Sequence, residues 1–111
     1  MSSAEQDIIE LAIEIWRLEK RLAKVSNTLS DDQNKAFRNS ITKLKRYLEK
    51  KEVVAVDYSN QKYNDGLNLD VLSIEKDPSI PESVIKDTHE PAVMQNGRLI
   101  KKAKVIVLEK A

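Results

Sequence analysis

The 111-residue sequence has no cysteine, only two glycines and three prolines, and few aromatic residues. The lack of cysteine excludes disulfides, thiolate zinc sites, iron–sulfur clusters and cysteine nucleophiles. A single histidine, His89, cannot form a multi-histidine metal site. Neither sign of charge dominates, because 19 basic and 18 acidic side chains leave a net charge of +1, which removes the usual electrostatic argument for a nucleic-acid or membrane partner. We therefore expect no metal and no cofactor.

Long hydrophobic runs are absent as well. None approaches the roughly 18 to 20 residues that span a bilayer, and the polar, acidic start has no apolar signal core, so we expect a soluble cytoplasmic protein. His89 lies near Asp87 and Glu90, but no serine or glycine motif beside them supplies a nucleophile elbow or a phosphate cradle. We interpret this segment as a solvated strand or loop and expect that the protein is not an enzyme.

The sequence changes character near Lys51. Residues 1–51 hold no glycine or proline, and two sets of apolar residues recur there at steps of three and four, which predicts two amphipathic helices. Ser30 and Gln33 form a capping signature before the second helix. The first set is Ile8, Leu11, Ile15, Leu18, Leu22, Val25 and Leu29. The second set is Phe37, Ile41, Leu44 and Leu48.

Two helices with a short connection predict an antiparallel hairpin that leaves much of each apolar stripe exposed. Two hairpins from two chains would cover these stripes as a four-helix bundle, which predicts a homodimer. Its expected interface is Ile8, Leu11, Ile15, Leu18, Leu22, Phe37, Ile41, Leu44 and Leu48. The first helix is also apolar beside this stripe, at Ile9, Ala12, Ile13 and Trp16. The alternative is that the helix pair packs on its own sheet within a monomer.

Residues 52–111 have the short apolar runs and turn residues of a small, mainly antiparallel β-domain. The runs at 53–58, 67–72, 84–85 and 103–107 predict strands, and the alternation over 67–72 predicts one buried face. Asn96-Gly97 is the strongest hairpin signal, because this pair accepts positive φ at both turn positions. The predicted fold is α+β, with a helical dimerisation region at 1–51 followed by the β-domain at 52–111.

Three segments stand in a recognisable order along the chain: DIIELAIEIWRLEKRLAKV at residues 7–25, FRNSITKLKRYLEKKEVVAV at 37–56 and NGRLIKKAKVIV at 96–107. In this order they resemble the two bundle helices, the entry to the β-domain and the closing hairpin of GrpE, the nucleotide exchange factor of DnaK-type chaperones. The resemblance covers nearly the whole chain, as a shortened, divergent member without the family's long N-terminal helix. Ala92-Val93 and Lys102 replace, respectively, a glycine-aromatic pair and a proline of the family pattern.

The resemblance implies a cochaperone that promotes protein folding by binding the nucleotide-binding domain of a DnaK-type chaperone. Its β-domain would hold that domain open so that ADP leaves, which requires only a higher affinity for the open state than for the closed one. Arg98 matches the arginine of the family's hairpin and is the expected polar anchor. Met94, Asn96 and Val107 are the further contact residues that we expect around it.

Two other hypotheses remain open. One is a dimeric structural adaptor that keeps the fold but has no exchange activity. The other is a small basic dimer that binds nucleic acid, through a stripe on the second helix formed by Lys43, Lys45, Arg46, Lys50 and Lys51.

A second basic group suits docking to an acidic protein surface and consists of Arg98, Lys101, Lys102 and Lys104.

Overall fold

A computed structural model describes residues 3–111 of the chain. Helix α1 spans Ser3–Val25, a single 3-10 turn follows at Ser26–Thr28, and helix α2 spans Asp31–Lys50. The predicted capping box is present: the Ser30 hydroxyl accepts the backbone N–H of Gln33 at 3.1 Å, and the Gln33 side chain accepts that of Ser30 at 2.9 Å. Within the described range, neither helix is long and apolar enough to cross a membrane.

Six strands follow the helices and form two three-stranded sheets, which makes the fold α+β. The antiparallel sheet has the order β1-β4-β5, and the mixed sheet has the order β2-β6-β3, with β2 parallel and β3 antiparallel to β6. The strands are β1 Val53–Val56, β2 Asp70–Asp77, β3 Val84–Glu90, β4 Ala92–Gln95, β5 Arg98–Lys101 and β6 Lys104–Lys110.

The strand predicted at 67–72 is wrong in its position and its burial. Strand β2 begins only at Asp70 and continues to Asp77, and almost all of its residues are exposed. Leu67 and Leu69 precede it in a turn and supply the buried apolar contacts instead. The reason is tertiary, because the core of the β-domain packs on β6 and β3, which hold all the fully buried side chains of the mixed sheet, and leaves β2 uncovered.

One core joins the first half of α1 to the antiparallel sheet. Ile9, Ala12, Ile13 and Ile15 are buried there together with Leu48 of α2, Val53 of β1 and Val93 of β4. The apolar residues beside the predicted dimer stripe therefore pack on the chain's own sheet, as the monomer alternative requires. Helices α1 and α2 also contact each other, through an ion pair of 3.3 Å between Lys45 and Glu19.

The predicted dimer stripe divides into three groups in this structure, by burial. Three of its members are buried within the chain, namely Ile15, Ile41 and Leu48. Three are half-buried, namely Ile8, Leu22 and Leu44. The remaining three are exposed, namely Leu11, Leu18 and Phe37, and Val25 continues the exposed stripe along α1. The helical hairpin and its dimeric bundle stay predictions, with the exposed group as their surface.

A second core fills the β-domain between the two sheets. Ile85, Val105 and Val107 of the mixed sheet are fully buried there, together with Ala92 and Ala103. Side chains from β1, β5 and the connecting loops pack around them, namely Val56, Tyr58, Tyr63, Leu67, Leu69 and Leu99. The antiparallel sheet thus contacts α1 with one face and this core with the other. The turn of its β4–β5 hairpin lies outside both contacts and is exposed.

Candidate functional site

The β4–β5 hairpin turns over two residues, Asn96 and Gly97. Their φ angles are 52° and 75°, the left-handed values that a type I′ hairpin turn requires at both positions. The backbone N–H of Asn96 donates to the carbonyl oxygen of Glu52 at 2.9 Å, so the turn is tied to the residue that precedes β1. The predicted Asn-Gly hairpin is confirmed, and its tip has a defined conformation.

Replacement of Gly97 by valine is expected to destabilise the protein through the backbone alone. A side chain at this position meets open space, but a left-handed φ costs an L-residue about 1 to 2 kcal/mol. Gly97→Asn is the matched control, since asparagine tolerates this region better. The free energy of unfolding in urea measures both losses. Equal losses for the two variants would contradict a cost set by backbone conformation.

The hairpin presents two chemically different faces. In the register, Met94 pairs with Leu99, and Gln95 pairs with Arg98. Because successive side chains of a strand point to opposite faces, Met94 and Leu99 share one face, and Gln95 and Arg98 share the other. The structure therefore brings Arg98 and Asn96 to one exposed tip, but it places Arg98 and Met94 on opposite faces of that tip.

Val54 extends the apolar face of the hairpin. It lies on β1 directly opposite Met94, and 54% of its surface is exposed. The sequence predicts that Val54 lies in a strand but does not single it out, because a run of four apolar residues does not show which side chains remain uncovered. The pairing of β1 with β4, between segments almost 40 residues apart in sequence, is what brings it beside Met94.

The assignment of Val107 as a contact residue is corrected by the structure. Its side chain is 0% exposed, in the middle of the β-domain core. It lies on β6 in the mixed sheet, between Ile74 of β2 and Ile85 of β3. A partner that docks on the β4–β5 hairpin cannot contact this side chain, so its role is to pack the core under that surface.

The basic group around the hairpin is partly neutralised. Lys101 and Lys104 lie 3.0 Å and 3.7 Å from one oxygen of Glu90, and Arg17 of α1 lies 3.2 Å from the other. Burial alone would raise the pKa of Glu90, but its hydrogen bond with Lys101 and the charges of Lys101, Lys104 and Arg17 lower that pKa below its usual value. Arg98 has no ion pair of this kind among the described residues.

The other two groups noted in the sequence lie away from the hairpin, in the His89 segment on β3 and in the exposed basic residues at the end of α2. Glu90 faces the cations around the hairpin, while His89 is exposed on β3. On α2, Lys45 pairs with Glu19 of α1, and the ammonium group of Lys50 lies 5.4 Å from the centre of the Tyr47 ring. Among the side chains that the structure describes, no group of three His, Cys, Asp or Glu residues is arranged to hold a metal ion.

The hairpin is therefore the site with the clearest geometry: a fixed turn, an exposed guanidinium group and an adjoining apolar face. No protein-family model matches the sequence, and no curated protein is significantly similar to it. Proposals about function accordingly depend on this geometry and on the segment order described above.

Proposed function

We propose that the chain is a GrpE-like cochaperone of the cytoplasm, which acts as a homodimer and promotes ADP release from a DnaK-type chaperone. The observation that carries the proposal is the exposed β4–β5 hairpin, whose turn is fixed by Asn96 and Gly97. In this proposal the hairpin docks on the chaperone's nucleotide-binding domain. No residue of the chain needs to perform chemistry.

The two faces of the hairpin suit this role for different reasons. Val54 and Met94 offer apolar surface, which is stabilising when a partner covers it. Arg98 offers a guanidinium group that can meet a carboxylate with two parallel hydrogen bonds. If these contacts form only with the open nucleotide-binding domain, a preference of about 4 kcal/mol shifts the closed–open equilibrium roughly a thousandfold.

The dimer in this proposal forms through the exposed part of the helical stripe. Leu11, Leu18 and Val25 recur at intervals of seven residues along α1, and Phe37 adds an exposed ring from α2. A row of exposed apolar side chains at this spacing is typical of a helix that packs against another helix. The opposite side of α1 already packs on the antiparallel sheet, so the dimer surface and the β-domain occupy different sides of the helix.

Replacement of Arg98 by alanine is expected to slow partner-stimulated ADP release by about tenfold to a hundredfold, the effect of losing a hydrogen bond to a charged group at an interface. The measurement is stopped-flow release of a fluorescent ADP from a purified DnaK-type chaperone. Lys110→Ala is the matched control, because this exposed lysine lies at the end of β6, on the other sheet. Its release rate should equal that of the unmodified chain.

The ADP-release experiment, together with measurements of binding to the chaperone and to DNA, separates the alternatives. An unchanged rate with Arg98→Ala counts against the hairpin as the docking site. Binding of the chain to the chaperone without faster ADP release would instead favour the structural adaptor. Binding to DNA that weakens steeply with salt, with no effect on the chaperone, would favour the nucleic-acid hypothesis and refute the cochaperone proposal.

A further inference from the structure

Two carboxylates of the β-domain contact neighbouring positions on α1. Asp57 follows β1, and its Oδ2 atom accepts a hydrogen bond from the indole N–H of Trp16 at 3.1 Å and lies 2.7 Å from the ammonium group of Lys20. Glu90 ends β3, and its Oε2 atom accepts a hydrogen bond from the Arg17 guanidinium group at 3.2 Å. Both contacts lie just beyond the apolar contact between α1 and the antiparallel sheet.

In each carboxylate, the second oxygen is bound within the β-domain. The Oδ1 atom of Asp57 accepts the backbone N–H of Ser59 at 2.8 Å. The Oε1 atom of Glu90 lies 3.0 Å from the ammonium group of Lys101, with Lys104 close by. Each side chain thus divides its two oxygens between the helix and the domain, so a movement of the helix away from either carboxylate breaks charged contacts.

The backbone around both carboxylates is restrained. Glu90 precedes the buried Pro91, and a residue before proline is confined to extended conformations. Asp57 lies beside a partly buried pair of hydroxyl groups: Ser59 donates to Thr88 at 3.1 Å, and the Thr88 hydroxyl accepts the backbone N–H of Tyr58. These contacts hold the two carboxylates in place from the side of the β-domain.

The apolar contact and the charged contacts restrain α1 in different ways. The apolar contact holds α1 on the sheet but is not directional, whereas hydrogen bonds between charged groups are. Positions 16 and 17 are about 100° apart around a helix, so the two contacts restrain α1 in two directions. The side chains of Asp57 and Glu90 are 26% and 18% exposed, and those of Lys20 and Arg17 are 50% and 32% exposed, so these contacts are partly shielded from solvent.

We propose that Asp57 and Glu90 are positioning residues that together lock the direction of α1 relative to the β-domain. We name this pair the carboxylate clamp. With the clamp formed, the helical region and the β-domain move as one body, and the angle between them is set by these contacts. The inference does not depend on the chaperone as partner, because it concerns the geometry of the chain alone.

Spin-label distance measurements test the clamp directly. The chain has no cysteine, so Lys24→Cys near the end of α1 and Ser73→Cys on β2 give two unique labelling positions, both exposed. Labelled chains are diluted with an excess of unlabelled chain, so that distances between copies do not contribute. We expect one narrow distance distribution, and a broader, shifted one when Asp57→Asn and Glu90→Gln are combined.

Control variants distinguish the clamp from a general loss of charge. Glu19→Gln removes an ion pair between the two helices and should leave the distribution narrow. Arg17→Gln, a change on the helix surface, should broaden it, and Arg17→Lys, which keeps the positive charge, should restore it. An unchanged distribution in the double variant and in Arg17→Gln would overturn the proposal.

A second measurement covers the case in which the double variant does not fold. Trp16 is the only tryptophan of the chain, so tryptophan fluorescence reports the surroundings of this one side chain, which donates to Asp57. In Asp57→Asn we expect Trp16 to become more accessible to a neutral quencher while the far-ultraviolet circular dichroism is unchanged. Equal quenching in this single variant and in the unmodified chain would also count against the clamp.

Discussion

Replacement of Leu18 by glutamate is expected to dissociate the proposed dimer. Leu18 is 43% exposed at the centre of the α1 stripe, and burial of a leucine side chain stabilises by about 1.5 to 3 kcal/mol. In a twofold-symmetric dimer each substitution counts twice, and the new carboxylate would be buried without a partner. We therefore expect the dissociation constant to rise by at least about a hundredfold, as measured by sedimentation equilibrium.

Lys24→Glu is the control for this experiment. It also introduces an acidic side chain on the exposed surface of α1, but at a position about 120° around the helix from Leu18, so it should leave the dimer intact. A dimer that survives Leu18→Glu would show that the helical stripe is not the interface. If the unmodified chain sediments as a monomer at micromolar concentration, the dimer itself is excluded.

Replacement of Ile85 by alanine is expected to destabilise the β-domain by about 2 to 5 kcal/mol, the range for deletion of a buried isoleucine side chain. The structure supplies a matched control on the same sheet. Ile85 of β3 and Ile74 of β2 are the two cross-strand neighbours of Val107, but Ile85 is 0% exposed and Ile74 is 50% exposed. Ile74→Ala should therefore cost less than about 1 kcal/mol.

Urea unfolding at a single chain concentration measures both losses, which removes the contribution of dimerisation to the comparison. The difference in the free energy of unfolding between the two variants measures how much more of the core packs on β3 than on β2. Equal losses would mean that something covers Ile74 in solution as fully as the β-domain core covers Ile85. Since a loss of 2 to 5 kcal/mol is a large part of the stability of a typical small domain, the Ile85 variant should also unfold at a lower temperature.

Helix α1 shows what a local sequence pattern predicts and what it leaves to the tertiary structure. On α1 the sequence shows two adjacent apolar stripes, and the stripe with heptad-like spacing was predicted to be the buried one. In the structure, Ile9, Ala12 and Ile13 of the other stripe pack on the antiparallel sheet, while Leu11 and Leu18 remain exposed. Periodicity states that a face is apolar, but not which neighbour covers it.

The candidate site likewise combines a turn that depends on local sequence with side-chain exposures that depend on the tertiary structure. The turn at Asn96 and Gly97 was predictable, because its positive φ angles need these residue types. Whether a strand residue such as Val107 is exposed depends on which sheet its strand joins, and Val54 belongs to the hairpin surface only through the pairing of β1 with β4. These facts involve residues far apart in sequence.

The sequence by itself determined the elements whose causes are local: two helices interrupted near Ser26, the capping box at Ser30 and the Asn-Gly hairpin. Tertiary structure alone decided the contacts across long sequence separations. Trp16 meets Asp57 over 41 positions, and Arg17 meets Glu90 over 73. The physical reason is that capping and turn conformation depend on a few neighbouring residues, whereas burial and ion pairing depend on which surfaces the complete fold brings together.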